Sequence, residues 1–213
     1  MKLNSPASSP RTRTSTAADE AEVIAASRRW IERVVIGLNL CPFARAPFVH
    51  DRLRLRVSSA NDVEALVVDL RDELEALQAA DPQVCETTLL IHPYVLGDFV
   101  DYNNFLDRAD STIESLGLQS EIQIASFHPD YQFADADIDA VENHTNRSPH
   151  PMLHLLRESS VARAVASIAD PSDITRRNVD TLRRIGIGGL RAQMVTASSS
   201  EEKAGPVGPF EDV

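Results

Sequence analysis

Residues 87–129 read TTLLIHPYVLGDFVDYNNFLDRADSTIESLGLQSEIQIASFHP. The stretch begins with a nearly continuous apolar segment at 87–91, which is typical of a strand buried in a parallel sheet. A helical repeat of apolar residues follows over about 101–116, and a second strand is predicted over 121–127. Because a long helical connection joins parallel strands with a right-handed crossover, this stretch predicts a β-α-β unit.

A preceding strand and helix extend this unit. Residues 52–57 read RLRLRV, and the strict alternation predicts a strand near a sheet edge with its arginines facing solvent. Residues 62–79 carry one apolar stripe at helical spacing, and Asn61 with Glu64 resembles a capping box. We therefore predict an α/β fold with a small, mainly parallel sheet and a β-α-β-α-β core covered by helices.

Further helices are expected on both sides of this core. The three are predicted over about 19–38, from Pro149 or Pro151 to about 166, and over about 173–185. We expect one domain over residues 19–195, with disordered polar tails at 1–18 and 196–213. The first residues are also rich in Arg, Ser and Thr, which leaves an organellar transit peptide as the alternative.

Composition narrows the classes of function. A net charge of −11 argues against nucleic acid and anionic membrane surfaces as partners. Apolar runs stay well below the roughly 20 residues of a membrane span. Two cysteines do not make a disulfide scaffold, and they fit a reducing cytoplasm. We expect a cytoplasmic protein whose partner is a small molecule.

Two strands end in the same way, with a histidine and a proline. His92-Pro93 follows the strand at 87–91, and His128-Pro129 follows the strand at 121–127. Ligands of open α/β sheets bind outside the carboxyl ends of the strands, so the two imidazoles would lie side by side at such a crevice if the two strands are adjacent and parallel. The alternative is that each histidine closes its strand and bonds to the backbone.

A dense polar run at 142–148 precedes the helix predicted from Pro149 or Pro151. Free N–H groups at a helix N-terminus attract anions, and Arg147 adds a guanidinium suited to carboxylate or phosphate. The candidate substrate-binding residues are Asn143, Asn146, Arg147 and Tyr131. The alternative is a hydrated turn with local side-chain caps.

Other residues have weaker claims. Cys41 lies where the first helix ends, and a buried apolar role competes there with a nucleophilic one. His150 and His154 would share one helix face, a spacing that can bind metal, although two surface histidines are commoner.

Three separated motifs resemble one family. They are LCPFA at 40–44, SFHPDYQF at 126–133, and ENHTNRSP at 142–149 followed by PMLHLLRE at 151–158. They resemble an uncharacterised bacterial family catalogued as domain of unknown function 1415, over roughly residues 20–190. The resemblance implies a soluble bacterial protein with no established activity or cofactor. It also implies an aromatic residue at the position of His150, which weighs against a His150–His154 metal pair.

Three hypotheses follow for a small anionic substrate. In the first, His92, His128 and His144, with Cys41 or Asp130, hold Zn or Fe for a metal-dependent enzyme. In the second, catalysis needs no metal: His128 is the base, Cys41 or a water is the nucleophile, and the helix start at 147–151 holds the oxyanion or carboxylate. His144 is a further candidate catalytic residue. In the third, the protein only binds a small anion or a protein partner.

Overall fold

The computed structural model describes residues 17–166 and 172–195. The helices are α1 (Ala17–Trp30), which continues as a π-helix (Ile31–Ile36), α2 (Arg45–Val49), α3 (Val63–Ala79), α4 (Phe99–Ser115), a 3-10 helix (Val141–Thr145), α5 (Glu158–Ala166) and α6 (Ser172–Val195). The strands are β1 (Leu53–Val57), β2 (Thr87–Ile91), β3 (Ile122–Phe127) and β4 (Met152–Arg157). The tails predicted at 1–18 and 196–213 lie outside the described residues, except for residues 17 and 18 in α1.

The described strands form one mixed sheet in the order β1-β2-β4-β3. Only β1 and β2 are parallel, and β4 runs antiparallel to both of its neighbours. The α/β class is confirmed, whereas the prediction of a mainly parallel sheet is wrong. The cause is β4, which lies between β2 and β3 and runs antiparallel to both.

The helix predicted from Pro149 or Pro151 to about 166 is also wrong in its first half. Residues 152–157 form β4, and α5 begins directly after it at Glu158. No turn residue separates the apolar strand from the amphipathic helix, so the two merge into one apparent helical pattern. This error removes the helix N-terminus that was expected beside Arg147.

Helices cover both faces of the sheet. Leu90 and Leu153 point to the face covered by α3 and α4. Ile91 and Met152, the next residues along β2 and β4, point to the face covered by α1, the π-helix and α6. Because successive strand residues alternate between faces, the described chain builds two apolar cores around one sheet.

Several local predictions can be compared with the structure. The edge position of β1 is confirmed, and Arg54 and Arg56 both pair with Glu73 of α3. The cap of α3 is Asp62, whose carboxylate accepts from the Ala65 amide, and not Asn61. The predicted stop at Gly186 is confirmed, because the backbone leaves the helical region there (φ +66°, ψ 170°), and a second helical segment of α6 continues to Val195. Among the described helices, none is long and apolar enough to cross a membrane.

Candidate functional site

The two strand-end histidines bind the same loop. His92 directly follows β2 and His128 directly follows β3, and both side chains are fully buried. His92 Nδ1 donates to the carbonyl oxygen of Val95 at 3.1 Å, and His128 Nε2 donates to the carbonyl oxygen of Leu96 at 3.2 Å. Their placement at strand ends was predicted correctly, and their hydrogen bonds match the alternative of backbone binding.

The strands that end at His92 and His128 are not adjacent in the sheet, and the Tyr102 ring from α4 packs against both imidazoles. Its centroid lies 5.8 Å from that of His92 and 5.0 Å from that of His128. The Tyr102 hydroxyl donates to the Met152 carbonyl at 2.9 Å and accepts from the Phe127 amide at 3.0 Å. Tyr102 therefore joins α4 to β3 and β4 beneath the sheet edge where the histidines lie.

Burial keeps both imidazoles neutral. It lowers the pKa of His92 from 6.5 to about 4 and also lowers the pKa of His128. His128 Nδ1 accepts from the Asp130 amide at 3.0 Å, so both nitrogens of His128 are used. His92 Nε2 is an unprotonated acceptor without a partner among the described residues. Neither imidazole can act as a base toward an external molecule without rearrangement of the loop.

The loop that both histidines hold is strained. Leu96 has a φ of +58°, a conformation that bulky side chains adopt rarely and at a cost of about 1–3 kcal/mol. Its carbonyl is the acceptor for His128. The buried histidine thus stabilises a backbone conformation that the leucine itself disfavours.

The polar run at 142–148 is folded onto its own backbone. Asn143 is fully buried, and its amide accepts from the Phe133 amide and donates to the carbonyls of Asp137 and Ile138. Asn146 donates to the Ser126 carbonyl at 3.0 Å. These amides hold the loop between β3 and β4, and they are not turned toward a ligand.

Arg147 crosses the same loop. Its Nε donates to the Tyr131 carbonyl at 3.1 Å, and its Nη2 donates to the Ile138 carbonyl at 2.8 Å. Its Nη1 lies 3.4 Å from His144 Nε2. Burial lowers the pKa of His144, and the positive charges of Arg147 and Arg191 lower it further. His144 is therefore a neutral imidazole in a basic environment.

Cys41 lies on the side of the sheet that α1 and α6 cover, opposite to His128. The neighbouring Leu40 packs in the core of α1 and α6, and its carbonyl accepts from Asn178 of α6 at 2.7 Å. Burial raises the pKa of the Cys41 thiol, although hydrogen bonds from the backbone of Phe43 and Ala44 oppose the shift. A neutral thiol on the opposite face from His128 is a poor nucleophile for that histidine to activate.

The donors expected for Zn or Fe do not fit a metal ion. Within residues 17–166 and 172–195, no group of three or more His, Cys, Asp or Glu side chains is placed to hold one. His128 has no free nitrogen, and His144 faces Arg147. The prediction that His150 and His154 share one helix face is wrong, because His154 lies in β4. There its Nε2 binds Thr87 Oγ1 at 2.8 Å.

The structure places an open groove beside the histidine-bound loop. Its volume is about 470 Å³. One wall is a face of α1, and the other walls are the segments that follow β2 and precede β4. The lining residues are Asp19, Glu22, Val23, Ala26, Arg29, Pro93, Tyr94, Pro149 and His150. The groove therefore lies at the carboxyl end of β2.

Most of the residues that line this groove were not predicted from the sequence. Its α1 residues recur at helical spacing, which predicts a common face but not what that face covers. Burial lowers the pKa of His150, whereas the nearby Glu22 carboxylate raises it. Pro93 and Tyr94 connect the groove to the buried histidines, since they belong to the loop that His92 and His128 hold.

Comparison with known proteins gives a family and no activity. A family model described as "Protein of unknown function (DUF1415)" matches residues 22–192. Neither a curated protein nor a solved structure matches the chain. The match covers all four strands and most of α1 and α6, so the chain belongs to the DUF1415 family.

Proposed function

We propose that this protein binds a small molecule with an anionic group in the groove between α1 and the loops at the end of β2, and acts on it by metal-free acid–base chemistry. The groove itself carries the proposal. Its volume of about 470 Å³ is within the range of small-molecule sites. Guanidinium, carboxylate, imidazole and phenol groups line it together with apolar side chains.

Arg29 is the proposed anchor for the anionic group. Its side chain is partly buried in the groove wall. Among the described residues, no carboxylate forms an ion pair with it. A guanidinium offers two parallel N–H donors to a carboxylate or phosphate, and partial burial strengthens such a contact.

The opposite wall supports binding through its rigidity. Tyr94 lines the groove, and the hydrogen bonds of His92 and His128 to Val95 and Leu96 fix the loop that carries it. A site held by buried side chains loses little conformational entropy when a ligand binds. The strain at Leu96 is consistent with this role, because strained backbone is concentrated at functional sites.

His150 and Glu22 are the proposed acid–base pair. A lowered pKa leaves the imidazole neutral near pH 7 and able to accept a proton from a bound molecule. The Glu22 carboxylate then stabilises the imidazolium. Because the family resemblance implies an aromatic residue at this position, catalysis by His150 is a property proposed for this chain, whereas binding depends on Arg29 and the loop.

Binding can be tested by NMR titration of the full chain with a set of small carboxylates and phosphate monoesters. We expect amide shifts confined to residues 19–29, 94–97 and 150. Arg29→Gln should weaken binding by about tenfold or more. Arg45→Gln, which removes an exposed arginine outside the groove, should bind as the wild type does. Equal affinity of Arg29→Gln and the wild type would contradict the anchor.

Catalysis needs a separate readout. Each compound that binds can be incubated with the protein in D₂O and followed by NMR for conversion or for exchange of carbon-bound hydrogen. His150→Phe should keep the binding and lose the conversion, and Glu22→Gln should slow it, with Glu20→Gln as the charge-matched control. If the wild type binds compounds without converting any, the catalytic part fails and the protein is a binding module.

A further inference from the structure

We propose a second anion site, separate from the groove, in which Arg147 and Arg191 hold a phosphate-type oxyanion beside His144. Its residues lie on the loop after the 3-10 helix, on α6 and on the 3-10 helix itself. None of the three lines the groove. The proposal does not depend on the function proposed above.

Arg147 is a prepositioned donor. A guanidinium carries five N–H groups. Three contacts, to Tyr131, Ile138 and His144, each take one of them, which leaves two N–H groups without a partner among the described residues. Because two backbone carbonyls already fix the side chain, an anion there would not bear the entropy cost of ordering it.

The surrounding charges favour an anion at this point. The α6 helix packs against the 3-10 helix and carries five arginines and two aspartates in the sequence SDITRRNVDTLRRIGIGGLRAQMV. This excess of positive charge contrasts with the net charge of −11 for the whole chain. Arg191 is close enough to influence His144. No carboxylate forms an ion pair with Arg147 or Arg191 in the described part of the chain.

Acidic groups nearby set a limit to the affinity. Glu142 shares the 3-10 helix with His144. Asp137 and Asp139 flank Ile138, whose carbonyl binds Arg147, and both are exposed. Salt screens these exposed carboxylates, and the exposed Arg191, more than it screens the partly buried guanidinium of Arg147. We therefore expect binding that is weak at high ionic strength, and strengthened by Asp139→Asn.

The test is an NMR titration of His144 with and without inorganic phosphate, at constant ionic strength set by chloride. Phosphate should raise the pKa of His144 by about half a unit or more, because a bound anion favours the imidazolium. Arg191→Gln should raise the pKa of His144 in the absence of phosphate and weaken phosphate binding several-fold. Arg184→Gln, on the same helix, is the matched control. Acetate in place of phosphate shows whether a single negative charge suffices.

The outcomes separate clearly. A phosphate-dependent pKa shift that Arg191→Gln reduces and Arg184→Gln leaves unchanged supports the site. A phosphate effect on His144 no larger than that of chloride would overturn it, as would an equal effect in the wild type and Arg191→Gln. Arg147 is not substituted in this test, because its two bonds to the loop backbone would be lost together with any anion site.

Discussion

His92 and His128 donate hydrogen bonds to the carbonyl oxygens of adjacent residues, Val95 and Leu96. The two histidines follow different strands, with β4 between those strands in the sheet. The loop after β2 is therefore fixed at two consecutive peptide groups from two sides. One wall of the groove rests on this loop, so the stability of the loop and the geometry of the groove are coupled.

Replacing His128 should release the loop. His128→Ala removes the bond to Leu96, the acceptor for the Asp130 amide and the ring contacts with Phe99 and Tyr102. We expect a loss of about 2–4 kcal/mol in the free energy of unfolding, measured by urea denaturation. Amide exchange over 94–98 should rise in the native state. His50→Ala, at an exposed position, should change stability by less than about 0.5 kcal/mol.

If His128→Ala is less stable but the amides of its loop exchange at the wild-type rate, then His128 packs in the core and does not hold the loop.

At position 96, glycine should be more stable than alanine, which is the reverse of the usual order. Glycine usually destabilises relative to alanine by about 0.5–1 kcal/mol, because it loses more backbone entropy on folding. At a φ of +58°, however, the Cβ of alanine costs about 1–2 kcal/mol that glycine avoids. Both substitutions remove the same partly buried leucine side chain, so Leu96→Gly should be more stable than Leu96→Ala. Thermal and urea unfolding compare them directly, and the opposite order would refute strain at this residue.

Mild acid should destabilise the fold through its buried histidines. His92 and His154 have pKa values lowered by burial to about 4 from 6.5. Between those values the unfolded chain binds protons that the folded chain does not, so stability falls as the pH drops from about 6.5 toward 4. From pH 7 to pH 5 the loss should be about 2 kcal/mol for each of the two.

Urea unfolding at pH 7 and pH 5 measures this loss. His154→Gln keeps an N–H donor for Thr87 but cannot titrate. Between pH 7 and pH 5 this variant should therefore lose less unfolding free energy than the wild type does, by the contribution of one histidine, about 2 kcal/mol. The same pH dependence in the wild type and in His154→Gln would exclude this residue as a source of the acid sensitivity.

The elements whose apolar residues recur with one clear period were predictable from the sequence. β1 alternates strictly, and α3 and α4 each show one apolar stripe and begin after an aspartate cap, Asp62 or Asp98. β4 was not predictable in this way. Its side chains face apolar layers on both faces, so the run MLHLLR lacks alternation, and its place in the sheet depends on partners 25 residues or more away, on β2 and β3.

The position of the candidate site could be predicted from the sequence better than the residues that form it. His92 and His128 could be placed at strand ends, because apolar strands precede both of them. Their acceptors are the carbonyls of Val95 and Leu96, and every residue has such a group, so no sequence pattern identifies them. The groove combines α1 with two loops that are distant in sequence, and only the packing of α1 on the sheet brings them together.

Cys41 should be an unreactive thiol in the folded protein. Burial raises its pKa, so the thiolate fraction at neutral pH is below that of a free cysteine. Labelling with a thiol reagent should be slower in the native state than in urea, followed by mass spectrometry at Cys41 and at the buried Cys85. Faster labelling of Cys41 in the native state would restore the hypothesis of a cysteine nucleophile.

Arg157 should contribute more to stability than an exposed arginine, although no carboxylate pairs with it within the described residues. Its Nη2 donates to the carbonyls of Leu77, Ala80 and Cys85, and thereby ties the C-terminal end of α3 to β4. Arg157→Met leaves these carbonyls without their donor and should cost about 2–4 kcal/mol in urea unfolding.

Arg157→Lys keeps the charge at the C-terminal end of the helix but carries it on a compact ammonium at the end of a flexible stem, so its cost should be intermediate. Arg163→Met is the matched control, because that side chain is 67% exposed and its ion pair with Glu86 is a surface contact worth less than about 1 kcal/mol. Arg157→Met as stable as Arg163→Met would mean that water replaces the guanidinium at the end of α3 without loss.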